Sequence, residues 1–122
     1  MVRYPAVRTD DEVRDAHATV RAIYEHTRQR VAWVVDASEV RDAPATQRKI
    51  VSEHEQQVKP LAERWCAGLA LVLPNPLVRG FFTAVTWIVP LSYPHRVFAD
   101  APSALVWARA QLEAHESQST RR

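Results

Sequence analysis

Apolar residues recur along this chain at two alternating periods, every three to four residues and then in short unbroken runs. Between Asp10 and Gln29 the apolar positions are Val13, Ala16, Val20, Ile23, Tyr24 and Thr27, one face of a helix. "TDDE" at Thr9 to Glu12 precedes them as a capping box, so a helix is predicted from Asp10 to about Gln29. "VAWVVDAS" follows, a β-branched run that ends in Asp and reads as a buried strand over Val31 to Val35. A second helix opens in "RDAPATQRK", with Asp42 as N-cap and Pro44 in the first turn. Its inward face is Ile50, Val51, His54, Val58, Leu61, Ala62 and Trp65, and Pro60 is expected to kink it or break it late.

The second half repeats the alternation. "AGLALVLP" is the second buried strand, over Leu69 to Leu73. "PNP" starts the third helix, with Asn75 as cap and Pro76 at the first helical position, and the helix is expected over Leu77 to Val89. "HRVFAD" is the third strand, and "DAPSALVWARAQLEAHE" the last helix, capped by Asp100 with Pro102 in its first turn. The order α-β-α-β-α-β-α implies crossover connections, hence an α/β fold with a small parallel sheet and helices on both faces. "VRYPAV" can add one short strand to that sheet, and Pro5 confines it to an edge, giving three to four strands. Residues 1–8 are thus an N-terminal segment, 9–116 a single domain, and "SQSTRR" a frayed tail over 117–122.

Composition narrows the function classes. The 122 residues are 47% hydrophobic and 25% charged, the mixture of a globular domain. Sixteen Lys and Arg against 14 Asp and Glu leave +2, a weak footprint for nucleic acid. One cysteine, Cys66, excludes an intrachain disulfide and a cysteine-based metal site. No apolar run in "MVRYPAVRTDDEVRD" resembles a secretory signal, so a cytoplasmic location is expected. The 13 residues between Pro76 and Pro90, Arg79 among them, fall short of the roughly 20 that a bilayer helix needs. The two glycines, Gly68 and Gly80, cannot build a dinucleotide or P-loop fingerprint, and no G-x-S-x-G is present.

Candidate chemistry is sparse. His54 in "SEHEQQ" has Val58 four residues on, so no H-E-x-x-H exists, and it reads as a packed histidine with one hydrogen bond. His17 and His26 are more than two helical turns apart, so no metal is expected. Asp36 ends a strand, where doubly wound folds place ligands, with Ser38, Asp42 and Thr46 nearby as a strand-end polar site. The plainer reading has Asp36 and Ser38 ending the strand by bonding to backbone amides. An enzyme centred on Asp36, Ser38 and His95 lacks any base–nucleophile spacing. In the third helix Leu77, Phe81, Ala84 and Ile88 form a core stripe widened by Val78, Val85 and Val89. Phe82 and Trp87 then fall at its flank, and with Arg79 and Thr86 make a partner-binding surface.

"VAWVVDASEVRDAPATQRK", "CAGLALVLPNPLVRGFFTAVTWI" and "YPHRVFADAPSALVWARAQL" together resemble bacterial STAS-like domains, over roughly residues 9 to 115. These are small α/β proteins related to anti-sigma-factor antagonists and to the lipid-transfer CRAL-TRIO fold. The resemblance implies a non-enzymatic regulatory module without cofactors that binds a protein partner, or itself as a homodimer, through its third helix and open sheet edge. The CRAL-TRIO relationship implies the alternative, a carrier of an apolar or lipid-like ligand held between the third helix and the sheet. Two departures stand out. The family's N-terminal hairpin is missing ahead of Thr9, so the chain starts inside the fold or a partner or second copy supplies the edge. In "RDAPATQ" the antagonists' phosphorylated serine is also absent, leaving Thr46 as the nearby hydroxyl.

Overall fold

The structure, a computed structural model, describes residues 1–88 and 90–120. Eight elements follow one another: β1 (Val2–Arg3), α1 (Asp10–His26), β2 (Val31–Asp36), α2 (Ala45–Trp65), β3 (Cys66–Val72), α3 (Pro76–Ile88), β4 (His95–Phe98) and α4 (Ala101–Thr120). The strands form one sheet in the order β1-β2-β3-β4, and every pair is parallel. The expected α/β architecture is therefore present, with "VRYPAV" contributing a two-residue edge strand that stops before Pro5.

Strand order decides where the helices lie. Each strand's next neighbour in sequence is its next neighbour in the sheet, so right-handed crossovers send α1, α2 and α3 to one face. α1 packs on α2 and α2 on α3, while α4 alone lies across β2, β3 and β4 on the other face. β3 is buried along its whole length, because it has a strand on either side and helices above and below. On the α4 side the packing is close: Val34, Ala70 and Val72 meet Ala104 and Ala108. Gly68 sits under Gln111 and Trp107, where an added Cβ would stand 3.1 Å from Gln111 Cγ and 3.2 Å from Trp107. On the opposite side Leu69, Leu71 and Leu73 face Val78 and the aromatic residues Trp33, Phe82 and Tyr93.

Several helix boundaries follow the local signals. Thr9 Oγ1 accepts from the Glu12 amide at 3.1 Å, Asn75 Oδ1 from the Leu77 amide at 2.9 Å, and Asp100 Oδ1 from the Ser103 amide at 2.8 Å. α1 ends earlier than expected, since Thr27 turns to extended backbone and its hydroxyl donates to the Gln29 carbonyl at 2.7 Å. Asp42 does not cap α2. Pro44 holds the N-cap position with no side-chain bond, and Asp42 is drawn away to Arg8. Pro60 does not break α2: it is exposed, and the carbonyl of exposed Gln56 that it leaves unpaired can turn to water. β3 begins at Cys66, directly after α2, three residues ahead of the expected Leu69. Residues 117–120 continue α4 and are not a frayed tail, while Arg121 and Arg122 lie outside the described residues, as does Val89, the expected end of α3. Among the described residues no helix is long and apolar enough to cross a membrane.

The two glycines should respond oppositely to alanine. Gly80 lies within α3 with nothing near its Cβ direction, so Gly80→Ala should stabilise by about 0.5–1 kcal/mol. Gly68→Ala must push Gln111 at its Cβ and Cγ, close to the α4 backbone, and should destabilise by about 1 kcal/mol or more. Denaturant titration of both variants checks the pair of signs. Stabilisation by Gly68→Ala would mean that α4 does not sit tightly on the sheet.

Candidate ligand cavity

The three-helix face does not close as the α4 face does. Bulky side chains, Tyr24, Trp33, Tyr93, Phe81 and Phe82, stand between these helices and the sheet. Between them lies a partly open cavity of about 200 Å³. Its floor is Trp33, Val35, Leu69 and Leu71; α1 supplies Val13 and Val20, α2 Val51 and Val58, and α3 Val78 with Phe81 and Phe82.

A few polar groups punctuate this apolar lining. The Trp33 indole donates to the Tyr24 hydroxyl at 2.7 Å, with the two rings edge-on at 5.5 Å. The Tyr93 hydroxyl donates to Glu55 Oε2 at 3.1 Å. Burial pushes Glu55 above the ordinary carboxylate range, and the Tyr93 bond only partly offsets that. Tyr93 and Tyr24 are themselves raised by burial, so both hydroxyls stay protonated. His17 of α1 and His54 of α2 bring their rings to 4.2 Å, and the Tyr4 hydroxyl lies 3.3 Å from His17 Nε2. Burial lowers His17 to about 4 and, with His17 and Arg21 adding to it, His54 to about 3, so both are neutral near neutral pH. Among the described residues no third ligating side chain joins this pair to make a metal cluster.

The remaining polar groups sit where α2 begins. Gln47 Nε2 donates to the Arg8 carbonyl at 3.2 Å, while Gln47 Oε1 is buried and has no partner among the described residues. The Arg8 guanidinium, 8% exposed, donates to the carbonyls of Asp42 at 2.7 Å and Ala6 at 3.3 Å. Arg48 rests over the Phe81 ring at 4.8 Å. Cys66 offers no nucleophile, because burial pushes its thiol up to about 11.

The residues of the expected strand-end site each have their own partner. Asp36 Oδ1 accepts from the Ser38 amide at 3.0 Å, and Ser38 holds the carboxyl below its ordinary range, the plainer of the two readings. Asp36 also reaches Arg3, Asp42 pairs with Arg8, and the Thr46 hydroxyl bonds Asp10. These residues therefore tie the N-terminal segment to the ends of β2 and α2 one by one. His95 starts β4, at the opposite end of the sheet from Asp36, so no enzyme centre joins them.

The expected partner surface on α3 is split. Phe82 faces inward and lines the cavity, because the inward side of α3 runs through buried Val78 and half-buried Phe81 and Phe82. Leu77, expected in the core, is 59% exposed; the side chains of Val85 and Ile88 lie outside the described residues. Arg79 turns back to donate to the Leu73 carbonyl, and Thr86 donates to Thr83 at 2.7 Å. Trp87 points out, 81% exposed, and Arg79 is exposed as well despite its bond to Leu73. Of the cavity's polar residues the sequence reading turned His54 and Tyr24 inward, while Gln47, His17 and Glu55 escaped it, although spacing held a signal. Gln47, Val51, His54 and Val58 fall at helical intervals, as do Val13, His17, Val20 and Tyr24.

No protein-family model, curated protein or solved structure matches the chain. Function has to be read from the cavity.

The histidine pair makes stability pH-dependent with a definite sign. An unfolded imidazole protonates near 6.5, whereas the folded pair resists until about 4 and about 3. Through that window the unfolded chain binds protons that the fold refuses, so stability falls as pH falls. Raised Glu55 opposes this, binding its proton earlier in the fold. Urea titrations at about pH 7 and about pH 5 should show wild type losing more stability than His17→Gln/His54→Gln. Equal losses would place both rings in water.

Proposed function

We propose that the chain is a cytoplasmic, non-enzymatic STAS-like domain whose working part is the cavity, a carrier or sensor of a small apolar ligand. One observation carries this reading: an apolar cavity of about 200 Å³ stays open on one face of a sheet whose other face is packed to contact. Filling that space with side chains would bury more apolar surface, so leaving it open forgoes stability that a closed core would hold. A cavity lined by hydrocarbon and aromatic groups with a few convergent polar atoms is also the usual form of a small-molecule site. The histidines are neutral and the tyrosines protonated, so these buried groups add no charge beside an apolar occupant.

Native mass spectrometry of protein purified from the expressing cell is expected to show a bound small molecule. Val51→Phe, which extends a ring into the cavity, should abolish that species while leaving the thermal midpoint within a few degrees of wild type. A wild-type spectrum at the bare chain mass, unchanged after incubation with apolar compounds, would remove the reading.

The interaction-module reading keeps one observation in its favour: Trp87 and Leu77 stand exposed on the outer side of α3. On that reading α3 would meet a protein partner or a second copy while its inner side holds ligand. Light scattering should then show a dimer for wild type and a monomer for Trp87→Ser; a wild-type monomer that captures no partner leaves Trp87 without this role.

A further inference from the structure

We infer that the cavity takes an apolar amine in its ammonium form, held by Glu55 within a group of aromatic rings; this rests on reading the cavity as a ligand site. Glu55 lines the cavity from α2, half-buried, and only one of its oxygens is engaged: Oε2 accepts from the Tyr93 hydroxyl at 3.1 Å. Among the side chains of the described residues, only Gln47 Oε1 is both sealed from solvent and without a partner. Glu55 Oε1, which has no partner either, therefore keeps accessible surface on a residue that lines the cavity. No cation among the described residues pairs with this carboxyl. Burial pushes it above the ordinary range, with only the Tyr93 bond against that, and a positive charge beside Oε1 would favour the carboxylate.

Aromatic rings stand around the carboxyl. Tyr4, Tyr24 and Tyr93 are each raised by burial first, and the charge of Glu55 adds to all three, so they lie near it. Trp33 meets Tyr24 edge-on at 5.5 Å, and Tyr93 packs into the same cluster. A lone carboxylate among rings suits an ammonium, because the carboxylate accepts its N–H and ring faces attract its charge. The other ionisable groups of the cavity leave that end to Glu55. Arg8 is engaged by Asp42 and backbone carbonyls. Arg48 lies two turns before Glu55 on α2, about 10 Å along the helix, and rests over Phe81 at 4.8 Å. His17 and His54 are neutral near neutral pH. Val51, Val58, Leu71 and Phe82 supply apolar wall for the rest of the ligand. An apolar cavity of about 150 Å³ takes up benzene, so about 200 Å³ admits a phenyl ring with a short side chain.

Isothermal titration calorimetry of the full chain with phenethylamine, phenethyl alcohol and phenylpropanoate tests the assignment, at about pH 8, where an alkylamine is still protonated. The amine should bind roughly tenfold tighter than the alcohol, and the acid more weakly than either. Glu55→Gln keeps an oxygen that can accept from Tyr93 but carries no charge. It should erase the amine's advantage, with circular dichroism confirming that the variant folds. Should Glu55→Gln fail to fold, the wild-type ranking decides alone. An alcohol or acid that binds as tightly as the amine, or an amine preference that survives Glu55→Gln, overturns the assignment and leaves the carrier reading standing. No binding of any of the three overturns both.

Discussion

The unequal packing of the two faces of β3 is the constraint on which the rest of the structure depends. Seven consecutive buried residues make it the hub of a four-stranded parallel sheet. Toward α4 the facing side chains are small, Gly68 and Ala70 against Ala104 and Ala108, so helix and sheet come into close contact. Toward α1, α2 and α3 they are leucines met by tyrosine, tryptophan and phenylalanine, whose size separates the layers. The strand order sends three helices to that face, and three helices rimmed by large rings leave a gap at their centre. One face supplies stability and the other a place to bind.

The polar groups take their meaning from that gap. Removed from it, Gln47, His54 and Glu55 would be ordinary surface residues of a helix. Set between α2 and the sheet, they lose water, and each finds a different answer. Glu55 keeps its hydrogen bond to Tyr93 and favours its proton. His54 stays neutral against His17. Gln47 satisfies its donor and leaves its acceptor buried without a partner among the described residues. The N-terminal segment is part of the same construction, since Arg3 fastens it to the end of β2, Arg8 to Asp42 ahead of α2, and Tyr4 reaches His17.

Much of the fold was legible because its signals are local. Thr9, Asn75 and Asp100 cap helices by bonding amides two or three residues away, and such bonds need no tertiary context. The apolar runs of β2 and β3 are equally plain, and their alternation with helices implies the parallel sheet. Asp42 misled, because a long-range partner, Arg8, outcompeted the local cap. α3 misled for another reason: with apolar residues nearly all round, it has no polar face to set its rotation, and Leu77 and Phe82 exchanged roles. The cavity itself was not readable, because it belongs to no single segment. The helical spacing that brings Gln47 and His54 inward is present in the sequence, but whether such residues meet a core or a void depends on three helices at once.

A high-resolution crystal structure of the chain stripped of bound small molecules tests the central claim most directly. The account predicts that α1, α2 and α3 keep their distance from the sheet, with a cavity near 200 Å³ between Val51, Phe82 and Leu71. A helical layer collapsed onto Leu69 and Leu71, with Phe82 filling the space, would contradict it.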